Sequence, residues 1–213
     1  MASFLNLTAG GGLLYWFPVP SSAKSVLDHF WETGAYLKGH FRLTSGLHSA
    51  EYLQCALVLQ HPEIAGKFGA QLADKLKSYG AIQVVASPAI GGLPIGHEVA
   101  RSLGARFIFT ERDADGKMTF RRGFTIAPGE RAVMIEDVVT TGGTSREVVE
   151  ALKAAGAHVL AAGSIIDRSG GRVDLGVPRV ALATLEPVVY KPEDCPLCRD
   201  GIPVIKPGSR KAE

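Results

Sequence analysis

One passage of the chain, residues 132–145, leaves few folds open to it. Ala132-Val133-Met134-Ile135 is an unbroken apolar run, the pattern of a strand buried on both faces. Two acids follow, Glu136 and Asp137, then Val138 and Val139, and then a turn of small residues, Thr140-Thr141-Gly142-Gly143-Thr144-Ser145. Beyond it a helical pattern covers residues 144–155 and stops at Gly156. A buried strand feeding a glycine turn and a helix is half of a βαβ crossover, and such crossovers join parallel strands.

The remaining sequence supplies matching units. Residues 82–86, 105–110, 158–166 and 180–184 read as further strands, with a helix over residues 94–103 between the first two. Helical patterns over residues 22–33 and 62–79 open the chain. In the second, Ile64, Phe68, Leu72 and Leu76 share one stripe and Gly80 ends it. The expected class is α/β, a parallel sheet covered by helices on both faces, with ligands beyond the carboxyl ends of its strands. Residues 111–123 are polar and charged, contain Gly116 and Gly123, and show no apolar periodicity, which predicts a mobile loop.

Composition narrows the function. A chain of 213 residues with 46% hydrophobic content can bury one sizeable core. A net charge of +2 with 21% charged residues fits neither a disordered chain nor a strongly basic nucleic-acid binder, so any phosphate affinity is local. Three cysteines, Cys55, Cys195 and Cys198, do not make a secreted disulfide framework and fit a reducing cytoplasm. The apolar stretch Leu13-Leu14-Tyr15-Trp16-Phe17 is too short to span a bilayer, and no basic residue precedes it as in a signal peptide. Residues 1–21 read as an N-terminal extension, and neither a membrane nor a nucleic-acid partner is expected.

The turn carries the chemistry. Hydroxyls and unobstructed amides at a helix N-terminus suit a phosphate monoester. Glu136 and Asp137 would repel that phosphate on contact, so they are expected to accept hydrogen bonds from neutral hydroxyls, and ribose 2′ and 3′ hydroxyls are the obvious donors. Phosphate and sugar diol within one loop describe a ribose 5-phosphate site. The lysine of a P-loop is missing, and Gly91-Gly92-x-x-x-Gly96 misses the dinucleotide spacing.

Residues 136–144, EDVVTTGGT, resemble the signature by which type I phosphoribosyltransferases bind phosphoribosyl diphosphate (PRPP). That resemblance implies a five-stranded parallel sheet, a small hood that selects the base and a flexible loop that closes over the diphosphate. Phe41-Arg42-Leu43-Thr44-Ser45-Gly46-Leu47-His48-Ser49 is similar to the N-terminal segment of the orotate-specific members, and Ile166-Asp167-Arg168 to the segment bearing their orotate-contacting arginine. The likeness to orotate enzymes runs from about Ser22 to Thr184, and the Arg-Arg-Gly-Phe and Lys-Pro-Gly-Ser-Arg segments resemble one bacterial subgroup. It implies a domain over residues 22–213, with a hood from about residues 22–60 plus the C-terminal segment and a core over about residues 62–185.

Carried onto these residues, PRPP would be bound by Arg112, Lys117, Glu136, Asp137, Val138, Val139, Thr140, Thr141, Gly142, Gly143 and Thr144, and orotate by Thr140 and Arg168. Lys117 and Asp137 are the expected catalytic residues. A guanidinium suits the orotate carboxylate, and a neutral purine would need no such cation. Arg112, Lys117, Arg121 and Arg122 together would neutralise the departing diphosphate, with Lys117 the principal cation. Mg²⁺ is the implied cofactor, held mainly by substrate oxygens with no direct protein ligand. The implied assembly is a homodimer in which residues 111–123 reach the neighbouring site.

Two positions depart from the family pattern: Thr44 replaces a lysine, for which Arg42 can substitute, and Gly91 replaces the lysine before the Gly-x-Pro turn. The competing functions are another base-specific phosphoribosyltransferase and a PRPP-sensing regulator, although no helix-turn-helix pattern or basic stripe is evident. Cys195-Pro-Leu-Cys198 alone is half of a four-ligand zinc site, so two reduced thiols in a loop are expected, with zinc shared across a dimer as the alternative. His97 and His158 fall at element edges and His48 lies in the N-terminal matching segment; none is offered as a catalytic base.

Overall fold

The computed structural model describes residues 24–43 and 45–207. The extension over residues 1–21, Thr44 and residues 208–210 of the Lys-Pro-Gly-Ser-Arg segment lie outside the described residues. In chain order the elements are α1 (Val26–Glu32), β1 (Tyr36–Arg42), β2 (His48–Leu53), α2 (Cys55–Leu59), α3 (Pro62–Leu76), β3 (Val84–Pro88), α4 (Leu93–Leu103), β4 (Arg106–Arg112), β5 (Met118–Phe120), β6 (Arg131–Val139), α5 (Gly143–Ala154), β7 (His158–Asp167), β8 (Arg179–Thr184), β9 (Val189–Tyr190) and α6 (Pro196–Arg199).

The main sheet has the order β5-β4-β3-β6-β7-β8. The expected strands β4, β3, β6, β7 and β8 run parallel, and β5 adds an antiparallel edge that the periodicity did not reveal. Alternate residues serve opposite faces. Val85, Val133, Ile135, Ala161 and Ile165 pack with Phe68, Leu72 and Leu76 of α3 and Ile95 and Val99 of α4. Val84, Ala86, Ala132, Met134 and Ala162 pack with Val148, Val149 and Leu152 of α5. Burial on both faces is why these strands read as continuous apolar runs. Leu72 is fully buried, and truncating such a side chain to alanine costs about 2–5 kcal/mol.

Residues 111–123, expected as an irregular mobile loop, begin as a β-hairpin. Thr110 pairs with Phe120 and Arg112 with Met118. The Asp113 carboxylate closes the turn by accepting the amides of Asp115 at 3.0 Å and Lys117 at 2.9 Å, and Met118 is buried beneath it. An alternation as short as Met118 and Phe120 carries no readable period.

A second sheet, β1-β2-β9, was also not read from the sequence. β1 and β2 pair antiparallel with a shift of register between Lys38 and Phe41, and β9 returns from the far end of the chain to pair with β2. The strand order of the main sheet reverses between β3 and β6: β3 leads through α4 to β4 on one side, and β6 through α5 to β7 on the other. The loops following β3 and β6 therefore diverge and leave a crevice at their carboxyl ends.

Candidate active site

The crevice at this reversal is a cavity of about 410 Å³ lined by Pro88, Ala89, Ile90, Gly91 and Gly92 after β3, Glu111, Arg112 and Met118 of the hairpin, and Glu136, Asp137 and Thr144 around the β6 turn. Of the sequence-identified residues it thus gathers Glu136, Asp137, Thr144 and Arg112. Val138 and Val139 turn their side chains into the protein, Val138 against the α3–α4 core, and contribute backbone only.

The turn after β6 is built for close approach. Gly142 has φ of +72°, and a Cβ there would lie 2.4 Å from Val173 and 2.8 Å from Leu175, so no other residue fits. The first helical bond of α5 runs from the Arg146 amide to the Gly142 carbonyl at 2.9 Å, leaving the amides of Gly143, Thr144 and Ser145 outside the helical ladder. Arg146 fastens the turn from outside by donating to the Thr141 carbonyl at 2.9 Å and the Asp174 carbonyl at 3.0 Å. Thr140 and Thr141 stand exposed.

The two acids differ in their bonding. Glu136 accepts a short hydrogen bond from the Ser145 hydroxyl, and burial pushes its carboxyl up to about 8, with the neighbouring Asp137 charge adding to the effect. Burial also raises Asp137, partly offset by the Val138 amide that donates to it at 2.9 Å. The Gly91 departure has a local counterpart here, because a Cβ at Gly91 would lie 2.9 Å from the Asp137 carboxylate. The Ala89–Ile90 peptide in this loop is cis.

The loop cations have distinct placements. Arg112 lines the cavity, donates to the Gly116 carbonyl and pairs with Glu147 at 3.0 Å. Arg122 is held by both oxygens of Glu111, at 2.7 and 2.8 Å, and lies over the Phe109 ring. Lys117 and Arg121 are exposed, and neither lines the cavity of its own chain.

Arg168 belongs to a second, smaller cavity of about 80 Å³, lined by Tyr36, Glu51, Tyr52 and Leu53 of the small sheet and by Leu185, Glu186 and Pro187. The pairing of Val139 with Asp167 sets Thr140 and Arg168 one step beyond adjacent strand ends, and the Arg168 amide donates to the Val139 carbonyl at 2.8 Å. Asp167 fixes the backbone there by accepting from the Ser169 amide and hydroxyl and pairing with Arg179. The Arg168 guanidinium is half-buried yet makes no ion pair or side-chain hydrogen bond among the described residues, and burial lowers its pKa. Its electrostatic neighbours are Tyr52, Cys55, Glu51 and Tyr36, and a half-buried cation without a direct ion pair favours an anion bound in the same cavity. Glu186 is already paired with Arg172, and Tyr36 is raised by burial and by its hydrogen bond to Glu51. The aromatic lining, Tyr36 and Tyr52, escaped the sequence reading; the alternation of the two strands that carry it was the available signal.

Comparison with known proteins agrees with this geometry. Residues 57–180 match the model of the phosphoribosyl transferase domain. The chain is 57% identical over 186 residues to an orotate phosphoribosyltransferase of Pelotomaculum thermopropionicum, covering 87% of this chain and 97% of that one. It is 53% identical over 187 residues to the enzyme of the same name from Thermotoga petrophila, covering 88% and 97%. Among solved structures, orotate phosphoribosyltransferase from Aeropyrum pernix superposes with a TM-score of 0.62 at 26% identity, over 76% of this chain and 94% of that one. Adenine phosphoribosyltransferase from Thermoanaerobacter pseudethanolicus, at 17% identity and a TM-score of 0.54 over 63% and 88%, shares the fold.

Proposed function

The chain belongs to the orotate phosphoribosyltransferase family, and from that premise we propose that it transfers ribose 5-phosphate from PRPP to orotate, giving orotidine 5′-phosphate and diphosphate. The observation that carries the choice of base is Arg168, a half-buried cation that makes no ion pair or side-chain hydrogen bond among the described residues and faces a cavity lined by Tyr36, Tyr52, Glu51 and Glu186. The orotate carboxylate supplies the missing anion, and the Thr140 hydroxyl beside it suits the amide edge of the ring.

The 5′-phosphate binds the free amides of Gly143, Thr144 and Ser145 with the hydroxyls of Thr141 and Thr144. Glu136 and Asp137 accept the ribose hydroxyls, and the diphosphate occupies the larger cavity beside Arg112. The bond between C1 and the diphosphate oxygen breaks, the diphosphate leaves with the electron pair, and the orotate ring nitrogen attacks the oxocarbenium-like C1. No covalent bond to the protein forms.

Of the acids lining the larger cavity, Glu111 is paired with Arg122 and Glu136 keeps its proton near neutral pH, while the lining cation Arg112 is already paired with Glu147, so an arriving diphosphate needs more positive charge than the lining supplies. This favours Mg²⁺, held mainly by substrate oxygens near Asp137, which would neutralise charge on the departing diphosphate. It also favours Lys117 acting from a neighbouring subunit of a homodimer, since Lys117 does not line the cavity of its own chain. Mixing Lys117→Ala subunits with Asp137→Asn subunits restores activity if the loop works in trans; two inactive parents that stay inactive when mixed would remove that feature. We further read β1, β2 and β9 as the hood, and the site of action as the cytoplasm.

Turnover of purified protein with PRPP and Mg²⁺, followed by orotate absorbance with hypoxanthine, adenine and uracil as alternative bases, tests the reading. Orotate-specific, Mg²⁺-dependent consumption is expected. Turnover of another base alone would keep the phosphate and ribose assignments but remove that of Arg168, and PRPP binding without turnover would favour a regulator.

A further inference from the structure

The paired cysteines near the C-terminus are not half a site. The Sγ atoms of Cys195 and Cys198, the His40 Nε2 from β1 and the His48 Nδ1 from β2 all lie within 4.8 Å of one another. His40, His48 and Cys195 are buried, and Cys198 closes the cluster from the surface. We propose that these four side chains hold one structural Zn²⁺ within each chain, clamping the C-terminal segment onto the small sheet.

The distances fit the ion. With Zn–S near 2.3 Å and Zn–N near 2.0–2.1 Å, the edges of a tetrahedral S₂N₂ site are about 3.3 to 3.8 Å long. The Cys195 Sγ lies 3.6 Å from His40 Nε2, and the Cys198 Sγ lies 3.7 Å from His40 Nε2 and 3.3 Å from His48 Nδ1. The His40 Nε2 to His48 Nδ1 separation of 2.8 Å must open by about half an ångström to reach a tetrahedral edge.

The outer contacts point the same way. The other ring nitrogen of His40, Nδ1, lies 2.7 Å from the Ile202 carbonyl, which can only accept. That bond fixes the proton on Nδ1 and leaves the Nε2 lone pair facing the cluster, the usual support for a metal-bound imidazole. Two thiolates and two imidazoles with no carboxylate or open position favour zinc over Mg²⁺ and suit a structural rather than a catalytic ion.

The cluster joins residues far apart in sequence where the backbone link is sparse. Ile205 donates to the His40 carbonyl at 2.8 Å and Arg42 to the Ile205 carbonyl at 2.8 Å, while α6 is a single turn. β2 also contributes Glu51, Tyr52 and Leu53 to the Arg168 cavity, so the ion would brace the strand that shapes that cavity from its opposite end. All four ligands come from one chain, so no dimer-shared site is required.

Elemental analysis of protein purified without metal-affinity steps tests the proposal independently of the activity. We expect one zinc per chain, falling below about a tenth of that in both Cys198→Ser and His48→Ala. Co²⁺ added to chelator-stripped, thiol-reduced protein should give the visible bands of a tetrahedral thiolate site, and zinc removal should lower the unfolding midpoint by roughly 5 °C or more. Cys198 is exposed, so its serine variant is expected to fold, checked by circular dichroism. Wild-type protein without stoichiometric zinc that also fails to bind Zn²⁺ or Co²⁺ after reduction, or a mass two hydrogens short that reports a Cys195–Cys198 disulfide in protein as isolated, would overturn it.

Discussion

The two cavities place their charged groups differently. The larger, about 410 Å³, has Arg112 as its lining cation, already paired with Glu147, although it is assigned the most heavily charged part of PRPP. The smaller, about 80 Å³, has Arg168 as its cation, set beside Tyr36, Tyr52 and Glu51 with no ion pair among the described residues, while its second carboxylate, Glu186, is paired with Arg172. On the proposed assignment the smaller cavity offers its base a cation from within the chain, whereas the larger needs charge brought to it. If that assignment holds, specificity for the base would rest on a residue fixed by β7, and diphosphate departure on groups that arrive with the substrate or from a neighbouring subunit.

Substitutions can break this contrast, and their effects should be graded. Asp137→Asn keeps the shape of the larger cavity while removing a charge, and kcat/KM for PRPP should fall about 10²- to 10³-fold with orotate affinity little changed, as steady-state kinetics and orotate titration would report. An equal loss of orotate affinity would mean that the cavities do not act separately. Arg112→Ala should raise KM for PRPP roughly tenfold and leave the preference among bases intact.

Glu136 sharpens the contrast through pH. Its carboxyl is raised from the ordinary 4.5 to about 8, so the folded protein holds a proton that the unfolded chain has released. The associated stability is fully present below about pH 4.5 and is lost as pH rises through about 8. Thermal unfolding across this window should show wild-type stability declining relative to Glu136→Gln; parallel profiles would remove the burial argument. The smallest effect belongs to Arg122→Ala. Its pair with Glu111 is exposed, so the unfolding midpoint should move by less than about 2 °C, and a larger shift would make the hairpin a structural element rather than a site wall.

The parallel sheet and the β6 turn were legible because burial on both faces writes unbroken apolar runs and because a tight left-handed turn packed against Val173 and Leu175 needs glycine where Gly142 sits. The small sheet was not legible. β1 and β2 mix buried and half-exposed residues across a register shift, and β9 is two residues long and pairs across most of the chain. Arg168 was found through likeness to a family segment, but its partners Tyr36 and Tyr52 come from that unread sheet. The same topology hid half of the metal cluster: Cys195 and Cys198 announce themselves by spacing, whereas His40 and His48 meet them only after β9 and the segment through Ile205 fold back. The hairpin was missed for a local reason, the Asp113 cap that turns a polar run into a closed turn.

The most direct test of the division between the cavities is the ratio of orotate to uracil turnover in wild type and Arg168→Ala, because uracil lacks the carboxylate and keeps the ring. The ratio should fall about ten- to a hundredfold in the variant, entirely through loss of orotate turnover, while KM for PRPP stays near the wild-type value. An unchanged ratio, or a loss carried by PRPP, would contradict the assignment of Arg168 to the base.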